Sequence, residues 1–249
     1  MIDLKKFTLE DKPELRAQLE QINKTVWPEF LLHMEMKHAE ALFSAFAKFQ
    51  LLLCNPSGEL IAFSLAAPVK WDSTSKDLPG NISEIMQRAL DADHRAGEAN
   101  TLAVFAAVVS EEYQGQGLSI ALLKEVKGLA AANGCTALIV PVRPTWKSRY
   151  PLTPMSRYAR WTRADGAPLD PWLRVHWRLG GEILRVEPSA RTVNGTVIEW
   201  EKWTGMSFPE SGEYIVPGAL QPVSIDREQD IGMYADPSVW MKHRVSAED

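Results

Sequence analysis

Cysteine is scarce in this sequence: 249 residues contain only two, Cys54 and Cys135. Each lies in an apolar, strand-like run, which suits a buried thiol better than a disulfide or a nucleophile. No group of cysteines and histidines has metal-ligand spacing, so no metal is expected. Long hydrophobic runs are missing as well, and none is long enough to span a bilayer. The stretch Met1-Ile2-Asp3-Leu4-Lys5-Lys6 lacks the apolar core of a signal peptide. Positive charge is not in excess. The formal net charge of -5 gives no general affinity for nucleic acid or anionic membrane. Internal repeats and low-complexity segments are absent too. These absences predict a cytoplasmic protein in a reducing compartment, with no membrane partner.

What is present is ordinary globular composition, 45% hydrophobic and 24% charged, in a chain long enough for one large domain or two small ones. One stretch stands out. The apolar run Leu102 to Val109 reads as a buried strand. Ser110-Glu111-Glu112 follows, then Tyr113-Gln114-Gly115-Gln116-Gly117-Leu118-Ser119. Behind the glycines, Leu118, Leu122, Leu123, Val126, Leu129 and Ala130 keep helical spacing up to Asn133-Gly134. The order is strand, glycine-rich turn, helix. Glycines there let the backbone approach a ligand and aim several N–H groups one way. The helix N-terminus adds positive partial charge, which together suits a phosphate or pyrophosphate. The rival reading is a tight connection and nothing more. The third glycine of a dinucleotide fingerprint is missing, and so is the Gly-Lys-Ser/Thr of a P-loop.

The segment resembles motif A of the GNAT N-acetyltransferase superfamily, whose Gln/Arg-x-x-Gly-x-Gly/Ala pattern falls on Gln114, Gly117 and Ser119. Ser119 departs from the last position but is small. The resemblance implies an α/β (α+β) fold with a mixed, mostly antiparallel central sheet flanked by helices. It also implies acetyl-CoA or another acyl-CoA as co-substrate. Its pyrophosphate would meet the N–H groups of Gly115, Gln116, Gly117, Leu118 and Ser119, with Gln114 and the strand end Val108-Val109 beside it. In the family the strands equivalent to 102–109 and 136–142 splay, and the pantetheine arm enters the gap.

In chain order, a first strand is expected at 2–8 and a helix at 11–25 with Asp11 as N-cap and Pro13 in its first turn. A second helix is expected at 34–47. Strands at 49–54 and 60–67 flank the hairpin turn Asn55-Pro56-Ser57-Gly58. A helix at 81–92 with Asn81 as cap precedes the central strand. The next strand covers 135–142, a helix covers 169–179 and ends at Gly180-Gly181, and the last strands cover 183–186 and 196–203 through Val193-Asn194-Gly195. This gives an acyltransferase domain at 1–205, with an insertion after the fifth strand at 143–168. Residues 206–249 form a C-terminal extension that wraps the core, with a possible strand at 221–225.

Acyl transfer from a thioester needs a polarised carbonyl, a neutral amine and a protonated leaving thiolate. The resemblance implies a proton donor four residues before the glycine that ends the last helix, where the family often has Tyr. Here that position is His176, which suits proton donation near neutrality or, alternatively, one structural hydrogen bond. Tyr150 is the second candidate. Because it precedes Pro151, it cannot comfortably continue a helix. The family's usual base, a carboxylate on the central strand, is absent, since Thr101 to Val109 contains no Asp or Glu. Glu111 and Glu112 at the strand end read as solvated turn residues.

Residues 137–164 hold Arg143, Lys147, Arg149, Arg157, Arg160 and Arg163 and no acidic residue, with Trp146, Tyr150, Tyr158 and Trp161 interleaved. Such a segment suits an anionic substrate, the ribose phosphate of coenzyme A, or stacked nucleic acid. A surface loop paired with carboxylates elsewhere is the plainer alternative. Arg157, Tyr158 and Arg160 are the candidate substrate-binding residues. The leading reading is an acyltransferase acting on the amine of a small, possibly anionic, acceptor. An aminoacyl-tRNA-dependent transferase, with tRNA as partner, and a non-catalytic coenzyme A-binding protein are the alternatives. Whether the chain forms a homodimer is left open.

Overall fold

The computed structural model of the chain describes residues 3–94 and 98–246. Ile2 of the expected first strand and the last three residues of the extension lie outside them. Nine strands and seven helices follow in order. Strand β1 (Lys5–Thr8) leads through a short 3-10 turn into α1 (Arg16–Val26). Asp11 does not cap that helix. Its carboxylate accepts from the backbone N–H and hydroxyl of Thr8, closing the turn after β1 instead. The helix expected over 34–47 is reduced to α2 (Glu40–Phe43), between 3-10 turns at Glu29–His33 and Ala47–Phe49. The chain is extended at Met34, and His38 adopts a φ of 59°, which no continuous helix accepts.

The hairpin β2 (Leu51–Cys54) and β3 (Leu60–Val69) turns at Asn55–Gly58. Helix α3 (Ile82–His94) starts where expected, with the side chain of Asn81 accepting from the N–H of Glu84. The central strand β4 (Thr101–Val109), helix α4 (Leu118–Ala132) and strand β5 (Ala137–Val142) also fall where the apolar spacing places them. Beyond β5, α5 (Met155–Tyr158) is a single turn inside the insertion. Helix α6 (Pro171–Arg178) is capped by Asp170, whose carboxylate accepts from Trp172 and Leu173.

The last part of the chain differs most from expectation. Strand β6 is one long element (Glu182–Gly195), and 196–203 is not a strand but helix α7 (Val197–Thr204). Thr-Val-Ile-Glu-Trp has strand propensity, yet Thr196 and Glu199 form a reciprocal capping box that starts a helix. Trp200 on α7 packs onto Gly232, where an added Cβ would lie 2.1 Å from the indole. The partner of β6 comes instead from the extension. After β7 (Gly212–Tyr214) and β8 (Val223–Asp226), strand β9 (Ile231–Arg244) pairs with β6 along one edge and with β5 and β8 along the other. The extension therefore does more than wrap the core, because it supplies an interior strand.

The strands form one sheet in the order β1-β2-β3-β4-β5-β9-β8-β7, with β6 on β9. Every pairing is antiparallel except β4 with β5. A large apolar core fills the sheet's contacts with α1, α3 and α4, and a smaller cluster around Trp200, Phe30 and Tyr234 seats α7. Both cysteines are buried free thiols, and burial pushes the Cys135 thiol up to about 11. Among the described residues no helix is long and apolar enough to cross a membrane, and no group of His, Cys, Asp and Glu is arranged to hold a metal.

Candidate active site

The sheet is open at its centre. β4 and β5 pair only from Thr101–Ala103 to Ala137–Ile139, after which the two strands part. β4 keeps its other edge on β3 as far as Val109. From Val104 to Val109 the edge toward β5 therefore carries backbone groups with no ladder partner. A bulge falls in the same place. Leu65 pairs with Ala106 and Ala66 with Val104, leaving Phe105 as the extra residue.

At the open end the chain turns through the glycine loop. Gly115 and Gly117 have φ of 75° and 81°, a region that disfavours side chains, and Gly117 is the N-cap of α4. None of the N–H groups from Gly115 to Ser119 donates to a backbone carbonyl among the described residues. Five consecutive donors thus stand at the N-terminus of α4, on a turn whose residues Gly115 to Gly117 are exposed. Gln114 braces it by donating to the Val109 carbonyl at 3.1 Å, and Gln116 donates to that of Glu112 at 3.1 Å. Val108 is buried and Val109 half-buried at the end of β4.

A cleft of about 350 Å³ reaches the bulge from the N-terminal helices. Its walls include Arg16 of α1, Trp27 just after that helix and Phe43 of α2, and its inner end is formed by Phe105, Ala106 and Arg191. Arg191 on β6 is buried and donates to the Phe105 carbonyl at 3.3 Å and to the Ser238 hydroxyl at 3.1 Å. It also pairs with Asp236 at 3.5 Å, and Asp236 takes Arg143 Nε at 3.0 Å. Of these, the sequence pointed only to Arg143, as part of the basic segment; Arg191 and Asp236 were not candidates. Arg191 lies within a strand in an unremarkable context, and its pairing with Asp236 depends on β9, which sequence spacing did not reveal.

His176 is fully buried on α6, sharing its inward face with Leu173. Its Nδ1 lies 2.8 Å from Nε2 of His243, and Nδ1 of His243 lies 3.4 Å from the Leu179 carbonyl. A carbonyl only accepts, so the proton assignment runs in one direction. His243 Nδ1–H donates to Leu179, His243 Nε2 accepts, and His176 Nδ1–H donates to it. Nε2 of His176 then carries a bare lone pair, and no partner meets it. Burial, with His243 second, holds the His176 pKa well below the usual imidazole value. Near neutrality His176 is therefore neutral, with the Nε2 lone pair left without a partner among the described residues. His243 stands opposite Leu138, level with the last β4–β5 pairs, so the dyad sits near the apex of the gap.

Tyr150 is 40% exposed and packs edge-on against Trp161, with ring centroids 5.0 Å apart. Tyr158 is buried, and its hydroxyl donates to Asp170 at 2.8 Å, which together with burial pushes its pKa up. Arg157 and Arg160 are exposed. His176, Tyr150, Arg157, Tyr158 and Arg160 do not line the cleft at the bulge. Within the insertion, Lys147 is buried against the carbonyls of Tyr150 and Leu220, and burial lowers its pKa to about 8. The basic segment is therefore partly a set of internal ties.

No protein-family model matches the chain. Arginine N-acetyltransferase avaD of Aspergillus versicolor is 29% identical over 252 residues, covering 89% of this chain and 86% of that protein. Among solved structures, the loading GNATL domain of CurA from Lyngbya majuscula superposes with a TM-score of 0.63 at 15% identity over 98% of both chains. The GphF GNAT-like decarboxylase, in complex with isobutyryl-CoA, gives a TM-score of 0.61 at 15% identity over 98% of this chain and 100% of that one. These two likenesses concern the fold.

Proposed function

We propose that this chain is a GNAT-type N-acyltransferase moving an acyl group from acyl-coenzyme A to the amine of a small acceptor, a reading supported by the Aspergillus relative and by the fold. The carrying observation is the parting of β4 from β5 beside five unpaired N–H groups. The Gly115–Ser119 amides take the pyrophosphate, and the pantetheine arm lies against the unpaired edge of β4. This brings the thioester to the bulge at Phe105, where the cleft from α1 and α2 ends.

There an unpaired N–H of β4 polarises the thioester carbonyl. The amine nitrogen attacks the carbonyl carbon, the C–N bond forms, and the C–S bond breaks with its electron pair on sulfur. The amine proton ends on that sulfur. His176 and Tyr150 are our candidates for delivering it, with the neutral imidazole of His176 first and the Tyr150 hydroxyl second. The arginine acceptor of the Aspergillus relative makes arginine the first amine to try.

The test combines binding and turnover. Acetyl-coenzyme A with a panel of primary amines should release coenzyme A thiol and yield amides of the expected mass. Coenzyme A alone should raise the melting temperature. Unchanged melting with acetyl-, malonyl- and longer acyl-coenzyme A, together with no thiol release, sinks this reading.

A further inference from the structure

Beneath the inner end of the cleft, two guanidiniums share one carboxylate. Arg191 and Asp236 are register partners on β6 and β9. Asp236 is fully buried and also receives Arg143 Nε at 3.0 Å and the Tyr234 hydroxyl at 2.6 Å. The ion pairs recorded for these two arginines among the described residues involve no other carboxylate. Two cations against one anion leave a net positive charge in a buried place, which is costly unless something neutralises it. Burial and the neighbouring Arg143 both act against the charge on Arg191, with Asp236 opposing them. Arg191, unlike Arg143, lines the cleft. A guanidinium has five N–H donors, and the Ser238 hydroxyl, the Phe105 carbonyl and Asp236 are its named partners. The outer end of the same cleft has the opposite balance. Arg16 stands between Glu20 and Glu40, 2.8 Å from each, so one cation faces two carboxylates.

We propose that this cleft takes an α-amino acid with a basic side chain, its carboxylate on Arg191 and its side-chain cation at the outer end, where Glu20 and Glu40 leave one negative charge beyond that of Arg16. The proposal rests on the acyltransferase reading and names the acceptor class and the nitrogen that reacts. In an α-amino acid the carboxylate and the α-amine share one carbon. A carboxylate on Arg191 therefore sets the α-amine beside Phe105, whose carbonyl Arg191 holds, at the point where β4 leaves β5. The side chain then runs outward to the acidic rim. The α-nitrogen is acylated and the far nitrogen is not. The acceptor enters as an ammonium, so one proton goes to water and the second ends on the coenzyme A sulfur as the C–S bond breaks.

The experiment compares L-arginine, its methyl ester and agmatine, the last two lacking the carboxylate, with acetyl-coenzyme A and the intact protein. The expected result is a kcat/KM for arginine roughly a hundredfold or more above that of either analogue, because neither offers Arg191 a carboxylate and the excess positive charge stays uncompensated. L-lysine should be acylated on its α-nitrogen, as fragmentation mass spectrometry will show. Arg191→Lys keeps a charge but loses the planar fork, and should narrow the arginine-to-agmatine ratio by about tenfold. If that variant does not fold, the wild-type ratio and the lysine product decide alone. Agmatine acylated as efficiently as arginine, or lysine acylated on its far nitrogen, overturns this proposal and leaves the acyltransferase reading standing. Acylation of no amine at all, with coenzyme A still raising the melting temperature, overturns both.

Discussion

The glycine turn after β4 and the cleft at the bulge serve one strand but are made of different material. The turn is contiguous, Gly115 to Ser119, and presents main-chain N–H groups on an exposed loop. The cleft is assembled from distant positions, Arg16, Glu40, Phe105 and Arg191, and presents side chains. Backbone recognition depends on φ and ψ, so many side chains at the turn are interchangeable and two glycines are not. Side-chain recognition depends on charge placement, so a single arginine or carboxylate sets what enters. A transferase that keeps one donor and varies its acceptor is built from these two kinds of surface.

The largest expected effect breaks the donor half alone. Gly117→Asp adds a carboxylate beside the amide cluster at a φ of 81°, although the space around a new Cβ is open. With coenzyme A at a hundredfold excess over its dissociation constant, the wild type should gain about 2.7 kcal/mol of stability. The variant should lose that gain while remaining folded, because the position is exposed. Differential scanning calorimetry with and without coenzyme A reads it directly. Retained stabilisation would remove the pyrophosphate role from the turn.

This contrast also explains what could be read ahead of the structure. The turn was legible because strand, glycines and helix are consecutive, and the helix ends at Asn133-Gly134 with Gly134 at a φ of 74°. The cleft was not, since it needs the pairing of β6 with β9, and β9 begins 36 residues after β6 ends. The segment 196–203 misled because its β-branched and aromatic residues suit a strand, whereas a capping box and the seat of Trp200 on Gly232 make it a helix. His176 was legible from its place four residues before the glycine that follows α6. Its partner His243, and hence its tautomer, came from β9.

The next effect concerns the apex that joins the two halves. His176 is buried and neutral, with a folded-state pKa well below that of the unfolded chain. Between those two values the unfolded state binds the extra proton, so stability rises with pH and falls as pH drops below about 6.5. The slope from this group should approach about 1.4 kcal/mol per pH unit. His176→Gln should flatten the acid limb of stability measured by urea unfolding. In turnover, loss of His176 should lower kcat with little change in coenzyme A affinity if it delivers the proton to sulfur. A fully active, folded His176→Gln protein confines it to packing and leaves Tyr150→Phe as the next variant.

A smaller effect sharpens the claim that the turn works through its backbone. Ser119 departs from the Gly/Ala of the family pattern and is half-buried at the start of α4. Ser119→Ala should leave the coenzyme A-induced shift within about 0.5 kcal/mol of the wild type, as for most surface changes that touch no special feature. A loss of 1 kcal/mol or more, read by isothermal titration, would give the hydroxyl a direct contact with the phosphates.

The smallest expected effect lies outside both halves. Arg157 and Arg160 are exposed on and just after α5, and neither lines the cleft. Reversing both charges should change folding stability by at most about 0.5 kcal/mol for each site. Because exposed charges act weakly across a screened distance, the acceptor KM should stay within about twofold at 0.15 M salt. Steady-state kinetics with arginine as acceptor checks this. A KM that rises tenfold would extend the acceptor site into the insertion, and the acceptor half would then include a second basic surface beside Arg191. A raised KM for acetyl-coenzyme A instead would assign the two arginines to the donor half, as a side-chain contact added to a site otherwise made of main-chain N–H groups.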